Sequence, residues 1–250
     1  MQLFIITGKK EQSNYIIDDL STIHQITRVL RMRPGDFFVV QPIGQMTRYE
    51  VSIESVTPTT IITKIISETH GFARNEQITL AIAMPNKFEK AELIVQKATE
   101  IGVDEIIFRP TRRSIIREFP EKKMMRCVII AKEATEQAWG WHIPTISWSK
   151  IIPKAADFTE QLLVDYHEKS TLPLLYAGKQ GPISGNKRIA YIGPEGGFTE
   201  EEYSLFSSLP MKQVILGNQV LRMETAAITT AWWLSTLRNE TTSIGDVIVK

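Results

Sequence analysis

Ile192-Gly193-Pro194-Glu195-Gly196-Gly197-Phe198 and, a little downstream, Leu216-Gly217-Asn218-Gln219-Val220-Leu221-Arg222-Met223-Glu224-Thr225-Ala226 carry the architecture of this chain. Each follows a short apolar run with strand character, Ile189–Ile192 and Val214–Leu216, and each leads into a helical pattern. Two glycine-bearing turns at strand ends, close in sequence, imply a crevice floored by backbone, which is where α/β proteins hold ligands. Gly196 and Gly197 let the backbone approach a ligand with no Cβ in the way. Thr199 followed by Glu202 is a capping box that starts a helix, and Glu200 to Glu202 suit the positive end of its dipole. The spacing matches neither G-x-x-x-x-G-K-[ST] nor G-x-G-x-x-G, so a P-loop or a Rossmann dinucleotide site is not supported. On these residues alone, the first turn reads equally as a plain tight turn and as a ligand loop.

The second turn adds charge. Gln213–Leu216 is apolar enough for a buried strand, Gly217 breaks it, and Glu224 opens a helix. Ala226, Ala227, Ala231, Trp232, Trp233, Leu234 and Leu237 give that helix broad burial. Arg222 and Glu224 therefore sit at a loop-to-helix junction beside packed core. Charged groups there are either a structural ion pair or functional, and both readings stand.

Working outward, the region from about Gln77 alternates strands and helices, which predicts a mostly parallel sheet. Strands are expected at Ile78–Ala83, Glu105–Arg109 and Leu172–Ala177, and helices at Lys87–Ile101 and Lys122–Ala138. Ala91, Ile94, Ala98 and Ile101 recur at helical spacing, and Gly102 occupies a C-cap position. The region before it is β-rich. Leu3–Ile6, Asp36–Gln41, Tyr49–Val56 and Thr60–Ile66 are β-branched and aromatic runs, with one short helix around Ile23–Leu30, and they suggest a small barrel. The boundary is expected near His70–Asn75.

The chain has 250 residues, 43% hydrophobic and 23% charged, so a globular core is expected and disorder is not. No run approaches the roughly 20 apolar residues a membrane span needs. Met1 to Thr7 carries neither a basic leader nor a cleavage site, which argues against secretion. The single Cys127 excludes an intrachain disulfide and reads as a buried thiol in a reducing compartment. His24, His70, His142 and His167 are scattered, so no metal is expected; His24 is expected to pack or hydrogen-bond within the barrel. The net charge is only +1, but Arg109, Arg112, Arg113, Arg117, Lys122, Lys123 and Arg126 concentrate basic residues in one segment. That segment is either a phosphate-tracking patch or an ordinary solvated face.

The two turns resemble those of the knotted SPOUT methyltransferases, and the chain as a whole resembles the RsmE family. The matching segments run in family order: His24 with Val29-Leu30-Arg31 and Gly35-Asp36; Lys87 with Lys97-Ala98-Thr99-Glu100-Ile101-Gly102-Val103; Arg113-Ser114; Glu133-Ala134 with Glu136-Gln137 and Pro144; then the turns themselves. The resemblance implies methylation of N3 of a uridine in 16S ribosomal RNA, with S-adenosylmethionine as cofactor, by a cytoplasmic homodimer. It also implies a PUA-like RNA-binding β-barrel over residues 1–72. Residues 73–250 would then form an α/β SPOUT domain with a parallel sheet and a C-terminal deep trefoil knot. Carried over, Ile192, Gly193, Pro194, Glu195, Gly196 and Gly197 would form one wall of the cofactor site. Leu216, Gly217, Leu221, Arg222, Glu224, Thr225 and Ala226 would form the other. Arg222 and Glu224 are the expected catalytic residues, Glu224 as base or base-orienting group and Arg222 stabilising charge on a uracil carbonyl. Arg31, Lys87, Arg112, Arg113 and Arg117 are expected to meet RNA of the small ribosomal subunit.

Two positions depart from the family pattern. Gln219 stands where a basic residue is usual, and Ala138-Trp139-Gly140-Trp141 replaces an expected arginine after Glu136-Gln137. The two tryptophans would either stack on a base or pack as hydrophobic groups. A different SPOUT-type RNA methyltransferase and a catalytically decayed rRNA-binding assembly protein are the competing readings.

Overall fold

The structure is a computed structural model that describes residues 1–72, 74–165, 172–173 and 186–238. It divides into two compact units, Met1–Arg74 with Ala131–Ile143, and Asn75–Ile130 with Pro144–Lys250. The stretch Ala131–Ile143 thus packs with the first unit, although by position it lies within the span assigned to the second.

The first unit is a six-stranded mixed sheet in the order β1-β4-β5-β6-β3-β2. Its strands are β1 (Leu3–Ile6), β2 (Lys9–Glu11), β3 (Asn14–Ile17), β4 (Phe37–Pro42), β5 (Thr47–Val56) and β6 (Ile61–His70). β1 runs parallel to β4 and the other pairings are antiparallel. Alternate residues such as Phe4 and Ile6, Phe38 and Val40, and Val51 and Ile53 enter one core with Ile23 and Ile26, as the two-residue period of a strand requires. The opposite face of β1 is also covered, because Leu3 and Ile5 pack with Val39, Trp139 and Ile143.

The expected short helix is α1 (Leu20–His24), capped by the Asp19 carboxylate and continued by a π-helical turn, Gln25–Val29. It turns Thr22, Ile23 and Ile26 inward, so His24 faces solvent rather than packing in the core. Trp139 and Trp141 are engaged by Arg48, whose guanidinium lies 3.7 Å from the centre of the Trp141 ring and 5.8 Å from that of Trp139. Arg48 also donates to Gln41 Oε1 and to the carbonyls of Trp139 and Gly140, at 2.7 to 3.0 Å. Gly71 abuts the Trp141 ring so closely that a Cβ there would lie 2.6 Å from it. These contacts support packing rather than base stacking for the tryptophan pair.

The second unit is α/β. Its seven strands are all parallel, in the order β11-β13-β10-β12-β7-β8-β9. They are β7 (Gln77–Ala83), β8 (Glu105–Arg109), β9 (Thr145–Trp148), β10 (Glu160–Val164), β11 (Leu172–Pro173), β12 (Lys187–Ile192) and β13 (Lys212–Ile215). Of the strand expected at Leu172–Ala177, all but the first two residues lie outside the described ones. Among the described residues its helices are α2 (Phe88–Ile101), the first part of α3 (Glu121–Gln137), α4 (Glu200–Ser207) and α5 (Met223–Thr236). Gly102 ends α2 in the left-handed conformation at φ +92, which glycine adopts without a Cβ clash.

Ile189 and Tyr191 of β12 meet Tyr203 and Phe206 of α4 in one apolar cluster. α5 packs against α2 and over β7 and β12. It buries Met223, Ala227, Thr230, Ala231, Trp233 and Leu234, whereas Trp232, counted by sequence in the buried set, is 55% exposed. At the far end of α5, Arg238 donates to the Gly102 carbonyl and pairs with Asp104. Among the described residues, no helix is long and apolar enough to cross a membrane.

Candidate functional site

β10, β12 and β13 end side by side. Val164 at the end of β10 is in register with Ile192 on one flank and with Val214 on the other. The chain leaves β12 and β13 through the two glycine turns, so both emerge at the carboxyl edge of one parallel sheet. Between them lies a cavity of about 620 Å³. The first turn lines it with Ile192, Gly193, Pro194, Glu195, Gly196 and Gly197. The second contributes Leu216, Gln219, Val220, Leu221, Arg222, Met223 and Ala226. Lys90, Val164 and Asp165 complete the lining. Gly217 and Thr225, both expected at the second wall, do not line the cavity. Gly217 sits at the bend with φ +155, and Thr225 faces solvent on α5.

The first turn is built tightly. The Gly197 N–H donates to the Pro194 carbonyl at 2.9 Å, and Gly197 holds φ +70. A Cβ on Gly193 would lie 3.0 Å from the Phe198 ring. Immediately beyond, the Thr199 hydroxyl accepts from the Glu202 N–H while Glu202 Oε2 accepts from the Thr199 N–H, so the capping box is formed. The other oxygen of Glu202 accepts from the Arg112 N–H at 2.9 Å. Arg113, expected to meet RNA, donates from Nη1 to the Gly196 carbonyl at 2.7 Å.

Arg112 and Arg117 are exposed and joined to each other by a bond from Arg117 Nη2 to the Arg112 carbonyl. Lys87 is exposed at the N-cap position of α2, and Arg31, in the first unit, is exposed at φ +55. Arg109 leaves the basic surface group: its Nε and Nη1 are shielded from solvent without a hydrogen-bond partner, and burial pushes its guanidinium down. The Cys127 thiol is buried, and that burial raises it to about 11. Among the described residues no group of His, Cys, Asp or Glu is placed to hold a metal ion, and His167 lies outside them.

The charged centre of the site is Lys90, which the sequence reading passed over in favour of Lys87 and Lys97. Its ammonium lies 2.7 Å from Glu195 Oε1 and 3.6 Å from Glu224 Oε2. The bond to Glu195 holds the Lys90 ammonium above its ordinary value. Burial pushes the Glu195 carboxyl up, but the Lys90 bond and backbone N–H groups outweigh it and the carboxyl lies below its usual range. Glu224 does not line the cavity, and its Oε2 is hidden from solvent without a hydrogen bond. The cation facing Glu224 is therefore Lys90, and Arg222 is exposed on the cavity lining. One signal for Lys90 was present in the sequence: it stands one turn before Ile94 on the buried stripe of α2, where a lysine needs a partner or an outlet.

Residues 73–235 match the model of the RNA methyltransferase domain. The ribosomal RNA small subunit methyltransferase E of Bacillus subtilis is 28% identical over 228 residues, 82% of this chain and 84% of that protein. The protein of the same name from Synechocystis is 30% identical over 212 residues, 82% of this chain and 67% of its own length. A Legionella pneumophila protein described as a methyltransferase, solved with the cofactor SAM bound, is 26% identical. It superposes with a TM-score of 0.76 over 94% of this chain and 95% of its own. The chain belongs to the RNA methyltransferase family, and within it to the ribosomal RNA small subunit methyltransferase E proteins.

Proposed function

We propose that the protein transfers a methyl group from S-adenosylmethionine to N3 of a uridine in 16S ribosomal RNA, with the cofactor in the cavity between the two glycine turns. The observation that carries this reading is the joint lining of one cavity by both turns at the ends of neighbouring parallel strands. The residues fit that cofactor. The volume of about 620 Å³ falls within the range of small-molecule sites, roughly 300–1,000 Å³. The glycine backbone admits close approach, and the lining mixes apolar groups such as Ile192, Leu216 and Leu221 with a few polar ones, as small-molecule sites do.

When bound, S-adenosylmethionine supplies an electrophilic methyl on a sulfonium. The chain's residues handle the acceptor. Uracil N3 carries a proton that must leave for the nitrogen lone pair to form a bond to carbon, and Glu224 is the proposed acceptor or orienting group for it. Arg222, exposed on the cavity lining, stabilises the negative charge that develops on a uracil carbonyl. The target base is presented outside any stack. Lys87, Arg112 and Arg117 hold phosphates of the RNA backbone, as Arg31 does by itself in the first unit, whereas the Arg113 guanidinium is engaged by the Gly196 carbonyl.

In this reading residues 1–72 form a PUA-like barrel, and residues 73–250 form the SPOUT domain with its trefoil knot. The placement of β13 between β11 and β10, after both in sequence, supports an interlocked chain path. In this reading the protein acts in the cytoplasm as a homodimer, and the exposed Trp232 supports an interface through this region. The test is transfer of labelled methyl from S-adenosylmethionine to small ribosomal subunits that lack their own modification, with nucleoside analysis. Formation of 3-methyluridine is expected. A different methylated nucleoside makes it another kind of RNA methyltransferase, and cofactor-free RNA binding with no transfer makes it a decayed relative.

A further inference from the structure

Lys90 projects from the first turn of α2, and its one ammonium group faces both the first glycine turn, which lines the cavity, and the start of α5 just behind the lining. Glu195 belongs to the first glycine turn and Glu224 to the first turn of α5, and the two lie 2.7 and 3.6 Å from Lys90 Nζ. Glu195 Oε1 also accepts the Asn86 N–H at 3.3 Å, so this carboxylate is held by the approach to α2 as well as by its side chain. Glu224 Oε2 is hidden from solvent and makes no hydrogen bond among the described residues. A carboxylate oxygen in such a place is costly unless a cation faces it, and Lys90 is that cation.

We propose that Lys90 is a positioning residue of the cofactor site: it ties the Glu195 wall to the Glu224 wall and holds the cavity at its working width. This rests on the function proposed above. A purely electrostatic role for Lys90 has a different signature. Removing a cation from the wall would then tighten binding of the positively charged sulfonium and leave the neutral thioether product almost unaffected. A tie that sets the width weakens both ligands alike.

The experiment compares wild type, Lys90→Met, Lys90→Arg, Glu195→Gln and the Lys90→Met/Glu195→Gln double variant. Hydrogen exchange on the ligand-free proteins follows the Gly197 and Ala226 amides, one on each wall, both hydrogen-bonded in the structure at 2.9 Å. Calorimetric titration then uses S-adenosylmethionine and S-adenosylhomocysteine. In Lys90→Met both amides should exchange faster, and both ligands should bind about three- to ten-fold more weakly. Lys90→Arg should restore binding to within about two-fold of wild type, since it keeps the charge. The double variant should be little worse than either single, as expected for groups acting as one unit. Unchanged exchange at the two amides overturns the proposal, and so does a sulfonium ligand that tightens while the thioether stays constant. If wild type binds neither ligand, the function proposed above falls, while the exchange comparison still decides whether Lys90 ties the walls.

Discussion

The Arg113 guanidinium donates to the Gly196 carbonyl at 2.7 Å, so an arginine from the loop after β8 pins the glycine turn after β12. The pin and the Glu202 clamp on the Arg112 N–H hold the same loop against the start of α4. Arg113→Ala should weaken cofactor binding about three- to ten-fold, the ~0.7–1.4 kcal/mol of one typical hydrogen bond. If Arg113 acts instead through phosphate, cofactor affinity will not move and the salt dependence of RNA binding will fall. Titrating cofactor and RNA separately distinguishes the two.

Gly197 and Gly196 stand next to each other and answer differently to substitution. At φ +70 a side chain on Gly197 is strained whatever space surrounds it, whereas a Cβ on Gly196 would meet only ordinary contacts with Arg113 at 3.5 Å. Gly197→Ala should cost about 1–2 kcal/mol in a urea melt, and Gly196→Ala should cost less. Equal losses would mean that the turn relaxes and that its conformation is not demanded by the fold.

In the first unit, Glu136 Oε1 accepts the Ile5 N–H at 2.6 Å and the Lys132 ammonium at 2.8 Å. β1 ends the sheet order, so this carboxylate satisfies a buried edge donor that no neighbouring strand takes. Glu136→Ala leaves that N–H unpaired and should destabilise the protein by about 1–3 kcal/mol. Denaturant unfolding checks it, and a change below about 0.5 kcal/mol would mean that water replaces the carboxylate.

Much of this architecture was legible from local pattern, and the reason is periodicity. Glu105–Arg109 and Leu3–Ile6 are strands over the expected residues, and the Thr199–Glu202 capping box forms as read. Two of the missed strands lack that signal. β2 is Lys9-Lys10-Glu11, an exposed edge segment held by pairing to β3 rather than by burial. β10 has only four residues after Glu160 in which to show a pattern. The cavity lining followed from the two turns because each is contiguous in sequence. Lys90 did not, because its partner Glu195 lies 105 residues away and only the fold brings them together. The tryptophans after Glu136 were ambiguous for the same reason, since Arg48 approaches them from a distant strand.

The Lys90–Glu195 pair also fixes the sign of a pH effect. Glu195 lies below its ordinary value of 4.5 in the folded protein, so its contribution is present above that value and is lost as pH falls through the folded one. Lys90 lies above its ordinary value of 10.5, so it stays charged wherever Glu195 is ionised near neutrality. The difference in thermal midpoint between wild type and Glu195→Gln should be constant near neutral pH and shrink below about pH 4.5. A difference that persists unchanged into stronger acid would show that Glu195 acts through shape rather than charge.

The last question is which of Arg222 and Glu224 acts on the reacting base. Arg222 lines the cavity and is exposed, while Glu224 sits behind the lining with its Oε2 facing Lys90. Removal of a general base typically lowers turnover about 10²–10⁴-fold. Loss of a group that stabilises developing charge is of similar size, about 10²–10³-fold. Glu224→Gln keeps the shape of the side chain and removes its ability to take a proton, so turnover should collapse while the cofactor dissociation constant rises by no more than the roughly three- to ten-fold expected for Lys90→Met. Arg222→Ala should lower turnover at saturating cofactor and RNA, and Arg222→Lys should recover part of it. The pair separates by product binding: a Glu224→Gln protein with normal turnover but weakened S-adenosylhomocysteine binding would make Glu224 a wall residue held by Lys90 and nothing more. The proton would then have to leave to solvent, with Arg222 alone stabilising the deprotonated ring.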